Sequence, residues 1–153
     1  MSEWDSIILS YDPLYWVQVG YDKGGIVGRR YFIEKQDYYG HSIKHFGNPS
    51  AGSWHEYKIC HAQESGQWAG KYRFWIDGAD MGYYNVTPCV PKDQQSFVET
   101  DTTSISIDGS HFQRISYFDG QTWRYWFHCV LRHDNPYQVD YVHEYEFTAR
   151  GGG

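Results

Sequence analysis

Apolar and polar residues alternate with period two along almost the whole chain, and no window of about 11 residues or more carries a helical stripe. A strand turns successive side chains to opposite faces, so this pattern builds sheets with one face toward a core. Strands are predicted over 6–10, 14–21, 29–36, 42–46, 54–61, 71–76, 82–86, 96–100, 104–107, 112–118, 122–132 and 138–147. Turn signals separate them. Asp77-Gly78, Asp108-Gly109 and Asp119-Gly120 are dipeptides favoured in tight hairpins. Asp12-Pro13, Asn48-Pro49 and Asn135-Pro136 break other runs, and Gly24-Gly25 marks an open loop. About twelve short strands with frequent turns define an all-β antiparallel fold, a sandwich or a barrel.

With 153 residues there is room for one core, so 1–150 is read as a single β-sandwich domain and Gly151-Gly152-Gly153 as a tail or linker remnant. Thirteen Lys and Arg against 19 Asp and Glu leave a net charge of −6, without the basic face that reading a phosphate backbone requires. Nucleic acid is not an expected partner. Apolar stretches fall far short of the ~20 residues of a spanning helix, so no membrane span is expected either. Met1-Ser2-Glu3-Trp4-Asp5 is acidic and lacks the apolar core of a signal peptide. Cys60, Cys89 and Cys129 match no zinc ribbon or C-x-x-C spacing and permit at most one internal bridge, for which Cys60–Cys89 is a candidate. Cys129 shares a strand face with Phe127 and Leu131 and reads as a buried thiol.

Fifteen Tyr, eight Phe and seven Trp suit sheet faces and wet binding clefts, because Tyr and Trp join a flat apolar body to a polar tip. Three strands mix such rings with amides or carboxylates. Trp16 and Gln18 share one face of 14–21, while Tyr15, Val17, Val19 and Tyr21 share the other. Phe32, Glu34 and Gln36 share a face of the next strand, and Gln95, Phe97, Glu99 and Asp101 share a face further on. Faces of this kind line a cleft more naturally than a dry core.

The order Trp16-Val17-Gln18-Val19-Gly20-Tyr21, Tyr31-Phe32-Ile33-Glu34 and Ser96-Phe97-Val98-Glu99-Thr100 resembles the glutamic peptidases of the eqolisin and neprosin types. Gly82-Tyr83-Tyr84-Asn85 and Gly109-Ser110-His111-Phe112 with Ile115-Ser116-Tyr117-Phe118 resemble neprosins in particular. The segments 47–57 and 72–78 are similar to small secreted bacterial domains of unassigned function. The likeness covers about two-thirds of the chain, from Trp16 to Phe118. It departs before Glu99, where Gln94-Gln95-Ser96-Phe97-Val98 lacks the Trp and Gly-Gly of neprosins, and the chain is shorter than either family's domain. The resemblance implies a concanavalin-like, jelly-roll sandwich, an extracellular setting and peptide hydrolysis at acidic pH without a cofactor.

In that reading Glu99 takes a proton from water and returns it to the leaving amine. Gln18 donates its amide to the tetrahedral oxyanion, and Glu34 raises the Glu99 pKa through like-charge repulsion. Trp16, Phe32, Gln36, Phe97 and Trp75 would line the substrate cleft. The alternative is a lectin-like module that binds glycan and cleaves nothing, with rings such as Trp68, Tyr72, Trp75, Trp123, Tyr125 and Trp126 stacking on pyranoses. A self-assembling extracellular protein joined through strand edges is a third expectation. No metal is expected: His41 and His45 share a strand face but lie about 13 Å apart, and His128 and His133 face opposite ways. No G-x-S-x-G elbow, P-loop or G-x-G-x-x-G occurs.

Overall fold

The computed structural model describes residues 1–24, 28–61, 70–87, 90–119 and 121–153. Gly25, Trp68, Cys89 and Gly120, each singled out in the sequence, lie outside the described residues. The described chain is all-β and antiparallel, with thirteen strands: β1 (Ser2–Tyr11), β2 (Leu14–Gly24), β3 (Gly28–Asp37), β4 (Gly40–His45), β5 (Tyr57–His61), β6 (Lys71–Ile76), β7 (Ala79–Asn85), β8 (Asp93–Glu99), β9 (Ile107–Phe112), β10 (Ser116–Phe118), β11 (Trp123–Tyr125), β12 (Tyr137–His143) and β13 (Glu146–Gly151). They form sheets ordered β4-β3-β2-β1-β8, β5-β6-β7, β12-β13-β9 and β10-β11. Two compact units result, Met1–Phe97 and Val98–Gly153.

In the first unit the alternation decides what is buried. Ile7 and Leu9 from β1, Val17 and Val19 from β2 and Ile33 from β3 form one core with Tyr72, Phe74 and Ile76 of β6 and Tyr84 and Val86. The five-stranded and three-stranded sheets thus enclose a shared apolar layer, with Tyr15, Tyr31, Tyr57 and Ile59 packed on it. Gly20 lets β1 and β2 approach, since a Cβ there would lie 2.0 Å from the Glu3 carbonyl oxygen. Asp77 and Gly78 both have positive φ, 51° and 76°, and close the β6–β7 hairpin as their dipeptide predicts.

In the second unit β13 pairs with both β12 and β9, and Phe112 stacks on Phe147 with ring centroids 4.7 Å apart. The Tyr137 hydroxyl meets Thr100 Oγ1 at 2.8 Å and the carbonyls of Thr102 and Ile105. The terminal glycines are packed: Gly151 pairs with Tyr137 and Ile107, and a Cβ on Gly152 would lie 2.2 Å from the Ile105 carbonyl oxygen.

Several boundaries differ from the sequence reading for physical reasons. Asp108-Gly109 lies inside β9, where Ile107 faces Gly151 and Ser110 faces Ala149; the extra residue is a bulge that Gly109 accommodates with φ 73°. The strand expected over 122–132 ends at Tyr125, because its partner β10 offers only Ser116–Phe118. The run 138–147 is two strands, since the chain turns between His143 and Glu146.

Candidate ligand-binding site

Register places most of the expected site residues on the face of the five-stranded sheet turned away from the shared core. Three rows cross β1, β2, β3 and β4. The first is Ile8, Trp16, Gln36 and His41, the second Ser6, Gln18, Glu34 and Ile43, and the third Trp4, Gly20, Phe32 and His45. The edge strand β4 is held in this orientation from its other side. Ser42 Oγ lies 3.3 Å from the Tyr84 hydroxyl, and Lys44 Nζ sits 4.6 Å from the centre of the Tyr84 ring. Its remaining side chains, His41, Ile43 and His45, are therefore presented on the polar face.

The rows grade from buried to open. Trp4, Ser6, Ile8, Gln18 and Phe32 are buried, Trp16, Glu34 and Gln36 are partly buried, and His41 and Ile43 are exposed. Gln18 Nε2 donates to Glu34 Oε2, and His41 Nε2 meets Glu34 Oε1. The Glu34 carboxylate is thus gripped by an amide and an imidazole, while the Trp16 ring meets the His41 ring edge-on at 6.2 Å. Below this cluster His45 Nε2 lies 3.2 Å from Asp22 Oδ2, which Arg30 also approaches at 3.3 Å.

At the Trp16 end of the sheet two hairpins expose large apolar side chains. The β1–β2 hairpin shows Tyr11 and Leu14, which are cross-strand partners. The β3–β4 turn shows Tyr38 and Tyr39 at 70% and 78% of full exposure, their rings packed edge-on at 5.3 Å. This turn is anchored from below. Asp37, only 1% exposed, pairs with Lys35 Nζ at 2.8 Å and accepts the backbone N–H groups of Tyr39 at 3.0 Å and Thr87 at 3.2 Å. The Tyr38 N–H also donates to the Thr87 carbonyl at 3.0 Å. A buried carboxylate with three partners fixes the backbone that carries two exposed rings.

The other expected residues lie elsewhere. Phe97 is partly exposed near the end of β8, its ring 5.8 Å from that of Trp4. Glu99 ends β8 with an exposed side chain and belongs to the second unit. Trp75 sits on β6, on the outer side of the three-stranded sheet. Trp123 and Tyr125 are exposed on β11. Cys60 and Cys129 are free thiols, and burial pushes the pKa of each upward. His55 Nδ1 lies 2.8 Å from Asp77 Oδ2 and 2.9 Å from the Tyr31 hydroxyl, whose pKa burial and then Asp77 push up to about 12. His111 pairs with Glu146 at 2.8 Å. Among the described residues no three His, Cys, Asp or Glu converge as metal ligands, and no helix is long and apolar enough to cross a membrane.

Sequence reasoning did not single out Asp37, Tyr38 and Tyr39, and it left His41 without a partner. The signal was present in the hairpin. A short turn between Asp37 and Gly40 brings His41 opposite Gln36 and diagonal to Glu34. Comparisons with protein families, curated proteins and solved structures return no match for this chain. Fold and site together define an all-β antiparallel protein with a sheet face that is buried at Trp4, Ile8, Gln18 and Phe32 and exposed along His41 and Ile43.

Proposed function

We propose that the chain is a carbohydrate-binding, lectin-like module on a concanavalin-like sandwich, and that the Trp16–His41 face with its tyrosine turn is its binding surface. The observation that carries this reading is the Asp37 anchor. A buried charge is costly unless fully paired, and here its pairing holds the backbone turn that carries the exposed rings. Flat rings suit the apolar faces of pyranoses, and a turn backbone fixed beforehand lowers the entropy cost of binding. Gln36, Glu34 and His41 supply both acceptors and donors for sugar hydroxyls beside the rings. An exposed edge and turn rather than a closed pocket favour a polysaccharide chain over a free monosaccharide.

The test is retention of the whole chain on insoluble cellulose, xylan, mannan and chitin. At least one should hold it, and the double substitution Tyr38→Ala with Tyr39→Ala should weaken binding at least about tenfold while the far-UV spectrum stays unchanged. Retention by none of the four defeats the reading.

A second reading, glutamic-peptidase-like hydrolysis at acidic pH, is favoured by the Gln18–Glu34 contact, an amide and a carboxylate on neighbouring strands. Glu34 would then serve as general base and acid, with Gln18 as oxyanion donor. Denatured casein would be cleaved below about pH 5, with a loss of at least ~10²-fold in Glu34→Gln. Casein left intact from pH 2 to 7 removes it.

A further inference from the structure

The outer face of the three-stranded sheet carries a second constellation, on the opposite side of the first unit's core from the face just described. Register sets Lys58 of β5 opposite Trp75 of β6 and Trp75 opposite Asp80 of β7, with Cys60, Arg73 and Tyr83 in the next row and Lys71 beyond. Each cation on this face leans on an aromatic ring. Lys58 Nζ lies 5.3 Å and Arg73 Cζ 5.5 Å from the Trp75 ring centre, and Lys71 Nζ lies 4.7 Å from that of Tyr83. Arg73 is further fixed by Asp80, which accepts from both its Nε and a terminal nitrogen. A cavity of about 250 Å³ opens here, lined by Glu56, Lys58, Trp75 and Gly78.

We infer that this face is a separate binding site for an acidic polysaccharide, a chain of uronic acid residues. Cation–π contacts hold the ammonium and guanidinium groups near the rings, so charge and stacking surface are presented together. A uronate asks for that combination: a flat pyranose face for Trp75 and a carboxylate for Lys58 or Lys71. The cavity is smaller than the ~300–1,000 Å³ of drug-sized sites, which matches one sugar ring seated while its neighbours cross the sheet. Among the described residues Lys58, Arg73 and Lys71 share this face with Asp80 and Glu56, on a chain whose net charge is −6. The overall charge and those two carboxylates weigh against a polyphosphate, which carries denser charge and no need for an acceptor such as Glu56. The inference is independent of the tyrosine-turn face and of any catalytic role.

The experiment is isothermal titration of the full chain with an oligogalacturonate, with a neutral oligoglucan and a single-stranded oligonucleotide as comparators. Oligogalacturonate should bind, and binding should weaken as salt rises from about 20 to 200 mM. Lys58→Gln with Lys71→Gln, and separately Trp75→Ala, should each lower affinity at least about tenfold. The Lys58→Gln, Lys71→Gln variant should keep the wild-type retention on neutral polysaccharide, which separates failure of this site from failure of the other. No binding, binding indifferent to both sets of variants, or tighter binding of the oligonucleotide would overturn the inference. The Lys58→Gln, Lys71→Gln variant removes two ammonium groups and their ring contacts but keeps Trp75 and Tyr83, so the test stands even where Trp75→Ala fails to fold.

Discussion

Asp5→Asn isolates one partly buried carboxyl whose titration should influence stability between pH 4 and 7. Asp5 lies on β1 opposite Val19 and accepts the Ser96 hydroxyl of β8. Burial pushes its pKa up to about 6, with the Ser96 bond only partly opposing. The unfolded chain returns it to about 3.9, so the folded state binds the proton more tightly. A raised folded pKa means stability present in full below about pH 4 and lost as pH rises through about 6. The shift corresponds to about 3 kcal/mol over that window. At a urea dependence of about 1–3 kcal/mol per molar, the wild-type midpoint should fall by roughly 1–3 M from this group between pH 4 and 7.5. Asn keeps the size and an oxygen for Ser96 but never ionises. Urea titrations of both proteins at half-unit pH steps give the difference directly, because histidine contributions common to both cancel. The two midpoints should diverge with rising pH, the variant gaining on the wild type. Parallel curves from pH 4 to 7.5 would refute the burial argument for Asp5.

Removing the anchor under the tyrosine turn by Asp37→Ala strands Lys35 and frees the Tyr39 and Thr87 N–H groups; unfolding free energy should drop by about 3–5 kcal/mol in urea titration. Gly20→Ala forces β1 away from β2 and should cost about 1–3 kcal/mol, whereas Gly47→Ala, which meets nothing within 4 Å, should stay within about 0.5 kcal/mol. Asp119, held down at about 2 by Arg124 and the N–H groups of Thr122 and Gln121, contributes stability present above about pH 4 and lost as pH falls toward 2. Amide exchange in the β10–β11 hairpin should therefore accelerate between pH 4 and 2 in the wild type beyond the intrinsic rate change, and not in Asp119→Asn.

Alternation in the sequence was enough to separate the two faces of β2. Val17 and Val19 are buried in the shared core, and Trp16 and Gln18 share the opposite face with Glu34 and Gln36. Period two carries that information because a one-residue slip would invert every side chain. Partner-dependent features were not legible. How far a strand extends past Trp123 depends on the length of β10, which no local pattern encodes. The dipeptide Asp108-Gly109 signals positive φ, and a hairpin or a bulge uses that equally well. The turn at Glu144-Tyr145 carries no Gly or Pro. The Asp37 anchor needed Thr87, 50 residues away, to become visible.

The most direct test of the glycan-binding face is an NMR titration of the full chain with soluble oligosaccharides of whichever polysaccharide retains it. The Trp16 indole N–H and the side-chain amides of Gln18 and Gln36 report on this face without any substitution. Expected are saturable shifts of the Trp16 and Gln36 signals and of the Tyr38 and Tyr39 backbone amides, with the signals of β12 and β13 unmoved. Saturable binding that leaves Trp16, Gln36, Tyr38 and Tyr39 unshifted would contradict the assignment of this face.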